Sequence, residues 1–209
     1  FFLRKLKYFD LSDNGLVEIP ADFGILNSSL ERLVLSGNCL TQIPISLCRG
    51  LAQLRHLDLS KNRIRELTDK LRELTNIESL DLSSNQLNTV NYELCNELKT
   101  LKLLNLSGNS LESMPLFSKR VKSSTATNRP ASSKKPSNFT RSVTPRSNIL
   151  SSPHSSSSKS SKNSQFTFNL PNLERLDLSA NKLKSEFNFY QTFSLCPKLE
   201  RIELNSNRI

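Results

Sequence analysis

Leu54-Arg55-His56-Leu57-Asp58-Leu59-Ser60-Lys61-Asn62-Arg63-Ile64 is the stretch on which the fold turns. Leu57 and Leu59 alternate with His56 and Asp58, the period of a short strand with one buried face. Leu54 and Ile64 extend the apolar set to either side. One strand this short cannot bury its face alone, so the stretch implies neighbours built the same way. Asn62 sits where the chain must turn away from the strand. An amide carries two donors and one acceptor, enough to satisfy backbone groups that a bend leaves orphaned.

The neighbours are present in the chain. The pattern Leu-x-x-Leu-Asp-Leu-Ser-x-Asn-x-Leu recurs with starts at Leu6, Leu30, Leu54, Ile77 and Leu101, at intervals of 24, 24, 23 and 24 residues, and again at Leu173 and Leu199. Every copy keeps Asn at its ninth place: Asn14, Asn38, Asn62, Asn85, Asn109, Asn181 and Asn207. These asparagines are expected to serve structure rather than recognition, at about 1–3 kcal/mol for each lost buried partner. Stacked in register, the copies make a parallel sheet over a continuous leucine core. Ile19-Pro20, Ile43-Pro44 and Met114-Pro115 begin the return to the next strand, while Thr68–Leu74 and Tyr92–Leu98 carry helical spacing.

This pattern and period resemble those of the leucine-rich repeat family. The resemblance covers Leu6–Pro115 and Leu173–Ile209. It implies an α/β solenoid, a horseshoe with a parallel sheet on the concave face and short helical or irregular returns on the convex face. It also implies a module that binds another protein. The chain opens without Met and stops within a repeat, so we read it as a fragment of a longer protein.

The span from Leu101 to Leu173 is 72 residues, so about 48 are additional to one period. We divide the chain into repeats one to five over 1–116, a disordered basic Ser-rich insertion over 117–165, and the end of repeat five with repeats six and seven over 166–209. The insertion has too few apolar residues to offset ordering entropy. Lengthening a return from about 6 to about 54 residues costs roughly 2 kcal/mol by loop-closure scaling. The chain carries a formal net charge of +10, and ten of its 29 Lys and Arg residues lie between Leu116 and Leu173 with no acidic residue among them. The remaining 19 balance the 19 Asp and Glu, so the repeats are neutral. In repeat six Phe189, Phe193 and Leu195 are expected to pack on the convex side. Cys39, Cys48, Cys95 and Cys196 show no ligand spacing and read as small core thiols.

Little here suggests catalysis. His56 and His154 are the only side chains that titrate near neutral pH unaided, and neither accompanies a recognisable nucleophile motif. No metal or cofactor site is legible. Binding is the expected activity, on side chains that alternate with the leucines. One outward column is Tyr8, Arg32, His56, Ser79, Leu103, Arg175, Arg201. The next is Asp10, Val34, Asp58, Asp81, Asn105, Asp177, Glu203, and this one is expected to be the most exposed. Asp and Ser are commonplace there, so the departures Tyr8, Val34, His56, Leu103 and Arg201 carry the information, and aromatic and Arg residues make the better anchors. In the insertion, Arg-x-x-Ser/Thr and proline-directed spacing mark Ser123, Ser132, Thr144 and Ser152 as phosphorylation candidates. Ten charges without interleaved aromatics offer nucleic acid only nonspecific attraction. No apolar run reaches the roughly 20 residues of a membrane span.

The expected role is therefore a non-catalytic, cytoplasmic and monomeric signalling scaffold, similar to the Ras-binding and phosphatase-regulating leucine-rich repeat proteins. Two rivals stay open. One is the recognition arm of a larger signalling enzyme, as in the Roco-family kinases. The other is an extracellular receptor ectodomain.

Overall fold

The computed structural model describes residues 5–26, 29–113, 168–184 and 192–209. The expected insertion over 117–165, its four phosphorylation candidates and Phe189 lie outside the described residues. Seven strands of three residues each form one sheet: β1 Tyr8–Asp10, β2 Arg32–Val34, β3 His56–Asp58, β4 Ser79–Asp81, β5 Leu103–Asn105, β6 Arg175–Asp177 and β7 Arg201–Glu203. All neighbours are parallel and in sequence order. The register matches repeat to repeat, as in Leu33↔Leu57 and Leu57↔Leu80. Across the long span β5 pairs β6 directly, Leu104 opposite Leu176. The sheet runs through this point unbroken.

Leucines from successive strands stack into a single core. Leu33, Leu57, Leu80, Leu104 and Leu176 make one buried row, and Leu35, Leu59, Leu82, Leu106 and Leu178 a second. Burying each such side chain contributes about 1.5–3 kcal/mol. In the outermost coils Leu6, Phe9, Leu11, Leu199 and Leu204 are only half-buried.

Each letter after the strand has a distinct task. The Asp at the strand end accepts the N–H of the Ser two residues on: Asp10 from Ser12, Asp58 from Ser60, Asp81 from Ser83 and Asp177 from Ser179, all at 2.8–2.9 Å. Asn105 does the same for Ser107. The following residue takes a left-handed backbone in all seven copies: Asp13, Gly37, Lys61, Ser84, Gly108, Ala180 and Ser206, with φ between 50° and 68°. The turn then delivers Asn inward. Asn62 donates to the carbonyls of Leu35, Leu59 and Ser60, and its Oδ1 accepts the N–H of Leu40. Asn38, Asn85, Asn109, Asn181 and Asn207 repeat the arrangement, so the carbonyl of each strand-end leucine from Leu35 to Leu178 takes amides from two successive asparagines. The expected structural role of these residues is what the geometry shows.

The left-handed position gives a testable pair of substitutions. Such a backbone costs a non-glycine residue roughly 1–2 kcal/mol, and glycine returns about 0.4–1 kcal/mol of this through the freer unfolded chain. Ala180→Gly is expected to stabilise by about 0.5 kcal/mol. Gly108→Ala should destabilise by about 1 kcal/mol, since a Cβ there would also press on Ser84 at 3.3 Å. Urea midpoints of the two variants will move in opposite directions if this holds.

The returns lie on the side opposite the strand face. They include α1 (Phe23–Leu26), α2 (Ile45–Gly50), a 3-10 helix at Asp69–Glu73 and α3 (Tyr92–Glu97). The last two coincide with the helical spacings noted in the sequence. Thr68 caps the 3-10 helix through Lys70, and Asn91 caps α3 through Leu94. Gly24 of α1 and Gly50 of α2 meet backbone to backbone. A Cβ on Gly50 would lie 2.1 Å from the Gly24 carbonyl carbon. Phe168, in the end of repeat five, is buried against Phe193 with ring centroids 5.4 Å apart. Its N–H donates to the Thr192 carbonyl, and its own carbonyl accepts the Cys196 thiol. Phe193 packs as expected. Leu195 does not: it is 46% exposed, one residue before the buried Cys196 that fills the core position instead.

Candidate docking surface

The outward columns of the sheet are the broad, regular surface of the molecule. The order of exposure reverses the expectation. Tyr8, Arg32, Leu103, Arg175 and Arg201 are exposed, with His56 and Ser79 half-exposed, whereas in the second column Asp10 is exposed and Asp58, Asp81, Asn105, Asp177 and Glu203 are only half-exposed. The Asp side chains bend down to the serine N–H groups and are partly spent on their own turns. Val34 lacks that acceptor. It lies flat between Asp10 and Asp58, 9% exposed, so it offers a partner little area.

Two groups of side chains stand clear. At one end the Tyr8 hydroxyl donates to Asp10, and the Arg32 guanidinium lies 5.9 Å from the centroid of the Tyr8 ring. Asp10 is held below the usual carboxylate range by hydrogen bonds from the Ser12 hydroxyl and N–H and from Tyr8. The same Tyr8–Asp10 bond pushes the phenol up. At the other end Leu103, 39% exposed, sits in register with Ser79 on one side and Arg175 on the other, with Arg201 beyond. Half-exposed His56 lies between the two groups.

A third row borders these columns and was not singled out in the sequence. Lys7, Glu31, Arg55, Glu78 and Lys102 occupy the same place in successive repeats and alternate in sign. Lys7 pairs with Glu31 and Lys102 with Glu78, each at 2.7 Å, and Arg55 also reaches Glu78. Hydrogen bonds from Lys102 and Arg55 hold the Glu78 carboxyl low, and Lys7 does so for Glu31. The alternation is visible once the repeats are aligned on this column. Its charges are committed to one another. On the face, Arg201 pairs with Glu203 at 3.0 Å, while Arg32 and Arg175 have no carboxylate within pairing distance among the described residues.

Among the described residues no three His, Cys, Asp or Glu side chains converge as a metal site. Burial pushes the Cys48 thiol up to about 12 and raises that of Cys196, so neither supplies thiolate at neutral pH. Cys39 is half-buried. Native-state alkylation followed by peptide mapping should therefore mark Cys39 well before Cys48 or Cys196. Equal labelling would show that the coils open far more readily than this packing allows. No helix among the described residues is long and apolar enough to cross a membrane.

Comparison with known proteins agrees with the geometry. One family model described as leucine rich repeat matches residues 4–64, and a second matches residues 73–90. Over 99% of its length the chain superimposes on TLR13 in its complex with ssRNA13, at TM-score 0.68 and 26% identity, covering 22% of that chain. An internalin, inlF of Listeria monocytogenes, matches over the same share at TM-score 0.62 and 18% identity, with 44% of that chain covered. The chain thus spans less than half the length of either. Leucine-rich repeats generally mediate protein–protein interaction, and no catalytic family is indicated. With its repeating strand, its left-handed turn and its asparagine ladder now accounted for residue by residue, the chain is a leucine-rich repeat protein.

Proposed function

We propose that the chain is a non-catalytic scaffold of intracellular signalling that holds a protein partner on its strand face. One observation carries this reading: the exposed row Tyr8, Arg32, Leu103, Arg175 and Arg201 lies on a rigid sheet that does not need it. The leucines and asparagines hold the coils, so the face residues are free to recognise. Tyr and Arg are the residue types that dominate binding hot spots. Free thiols at Cys39, Cys48 and Cys196 suit a reducing compartment. Ser123, Ser132, Thr144 and Ser152 would place phosphates in the basic segment and lower its charge.

Single-stranded RNA is the rival ligand, since TLR13 is seen with ssRNA13. A stacking platform needs aromatic side chains along the groove. This row has one, Tyr8, beside a column of carboxylates that repels phosphate. The test is to change Tyr8, His56 and Arg201 to Ala together and compare the captured proteins, and a labelled single-stranded RNA, with those of the unchanged chain. Loss of specific protein partners is expected. Retention of all of them, or a face-dependent grip on RNA instead, would sink the reading.

A further inference from the structure

Past each strand the chain forms an edge of the solenoid, and the backbone there is tied from repeat to repeat. The residue after each ladder asparagine donates its N–H to a carbonyl of the preceding repeat: Arg63 to Leu40, Gln86 to Ile64, Ser110 to Leu87, Lys182 to Leu111 and Arg208 to Leu183, all at 2.8–3.0 Å. Ile64, Leu87, Leu111 and Leu183 come next and are buried. The residues on either side of them turn outward. Arg63 and Arg65 therefore form an outward pair about Ile64, and Lys182 and Lys184 form one about Leu183.

The charges on this edge are lopsided. From repeat three onward it carries Lys61, Arg63, Arg65, Lys182, Lys184 and Arg208 against Glu66 and Glu112. Asp13 and Glu18, the other carboxylates of the edge, belong to repeat one. Glu112 is already taken. Lys184 bonds it at 3.0 Å and holds it below the usual carboxylate range, with Lys182 and Arg208 adding to the pull. No carboxylate lies within pairing distance of Lys61, Arg63, Arg65, Lys182 or Arg208 among the described residues. Arg65 gives its Nε–H to Gln86 at 3.1 Å, which leaves the two terminal nitrogens of its fork open. Between the two cationic ends, Gln86, Asn88 and Ser110 offer uncharged polar groups. Like charges in register on neighbouring repeats, such as Lys182 and Arg208, repel each other. An anion set between them relieves that repulsion, and a guanidinium holds a carboxylate with two parallel bonds.

We propose that this edge, with Arg63 and Arg65 at one end and Lys182 and Arg208 at the other, docks an extended acidic segment of a protein partner. The surface is separate from the strand face and does not depend on it. The two ends are three repeats apart, about 14 Å at the spacing of neighbouring strands. Four residues of an extended segment cover about 13 Å, and residues four apart share a face. The segment therefore carries Asp or Glu at places four apart, one for each end. Single-stranded nucleic acid is also an anion, but it calls for stacking aromatic side chains. None of the described residues along this part of the edge is aromatic.

A display library of peptides, each about nine residues long, panned on the full chain, tests this directly. Enriched peptides should carry Asp or Glu four residues apart. The basic segment beyond Leu116 attracts any acidic peptide, so dependence on the edge is the deciding measurement. In fluorescence polarisation with an enriched peptide, Arg63→Glu with Arg65→Glu should weaken binding at least about tenfold, and Lys182→Glu with Arg208→Glu by a similar factor. Arg63→Gln with Arg65→Gln should weaken it less, in the same direction. Added salt should weaken it further. The Tyr8, His56 and Arg201 variant should bind the peptide unchanged, even where it has lost partners of the strand face. Matching thermal unfolding will confirm that the variants fold. No enrichment of acidic peptides, binding indifferent to both edge reversals, loss with the face variant instead, or a tighter edge-dependent grip on a labelled single-stranded RNA would overturn the proposal.

Discussion

Asn62→Ala is expected to lower the stability of the solenoid by about 3–5 kcal/mol, while Asn14→Ala should cost under about 1 kcal/mol. Both asparagines hold the same place in the repeat, so the difference must come from what they touch. Asn62 is buried and joins two coils. Its Oδ1 takes the Leu40 N–H, and its amide bonds the carbonyls of Leu35, Leu59 and Ser60. Without it the Leu40 N–H loses its acceptor inside the core. The carbonyls of Leu35 and Leu59 each keep a second amide, from Asn38 and Asn85. One orphaned donor at about 1–3 kcal/mol and two shared bonds at about 0.5–1.5 kcal/mol each sum to about 2–6 kcal/mol, and the stated range is the middle of that span. Asn14 is exposed, and among the described residues its side-chain amide donates to the Ser12 carbonyl alone, while its backbone N–H, which Ala would keep, donates to Asn38. Asn62→Asp would keep the acceptor, lose the donors and set a charge among carbonyl oxygens, so it should be at least as damaging at neutral pH. Chemical denaturation of the three variants measures all of this. Equal losses at Asn62 and Asn14 would mean that the ladder does not carry the stability assigned to it.

Phe168→Ala should cost about 3–5 kcal/mol, as deletion of a fully buried aromatic ring generally does. Its position gives the loss a particular distribution. Phe168 lies at the end of repeat five, against the return of repeat six. It packs on Phe193 and accepts the Cys196 thiol, and nearby Asn172 and Asn169 bond to Lys99 of the preceding coil. In a stack of repeats, stability is close to a sum of coil terms and neighbour interfaces. Emptying this place weakens the joint on which β6 and β7 rest and spares β1 to β4. Hydrogen exchange should then show the amides of Leu178 and Ala180 losing protection while those of Leu35 and Leu59 keep theirs. Uniform loss across the sheet would contradict a joint of this kind.

The frame of the fold was legible because its signals are periodic. The leucine columns, the strand positions and the inward asparagines all repeat, and each follows from one requirement, burial or hydrogen bonding. What escaped depends on geometry that no single letter encodes. The left-handed residue before each Asn is Asp, Gly, Lys, Ser, Gly, Ala and Ser in turn, and two glycines in seven are a faint signal. The Asp column was expected to be the most exposed because its side chains are charged and alternate with leucines. The bond from Asp58, Asp81 and Asp177 to the Ser N–H two residues on, which draws those carboxylates down, is invisible until the turn exists. The alternating row from Lys7 to Lys102 was present in the letters, in a column just ahead of the strands. Leu195 was expected to pack on the convex side from the apolar pattern of repeat six, but the turn brings Cys196 inward instead.

The direct pairing of β5 with β6 has a kinetic consequence. Elsewhere in the sheet partners lie 23 or 24 residues apart, as in Leu33↔Leu57, but Leu104 must find Leu176, 72 residues on. Tripling the separation lowers the chance of encounter about fivefold by loop-closure scaling. The first five coils will therefore zip up ahead of the last two and wait with β5 as a bare parallel edge. An unpaired edge is a template for any other chain in the same condition. During refolding at high concentration, misassembly should start at this seam, between two halves that are joined without a break once folding is complete.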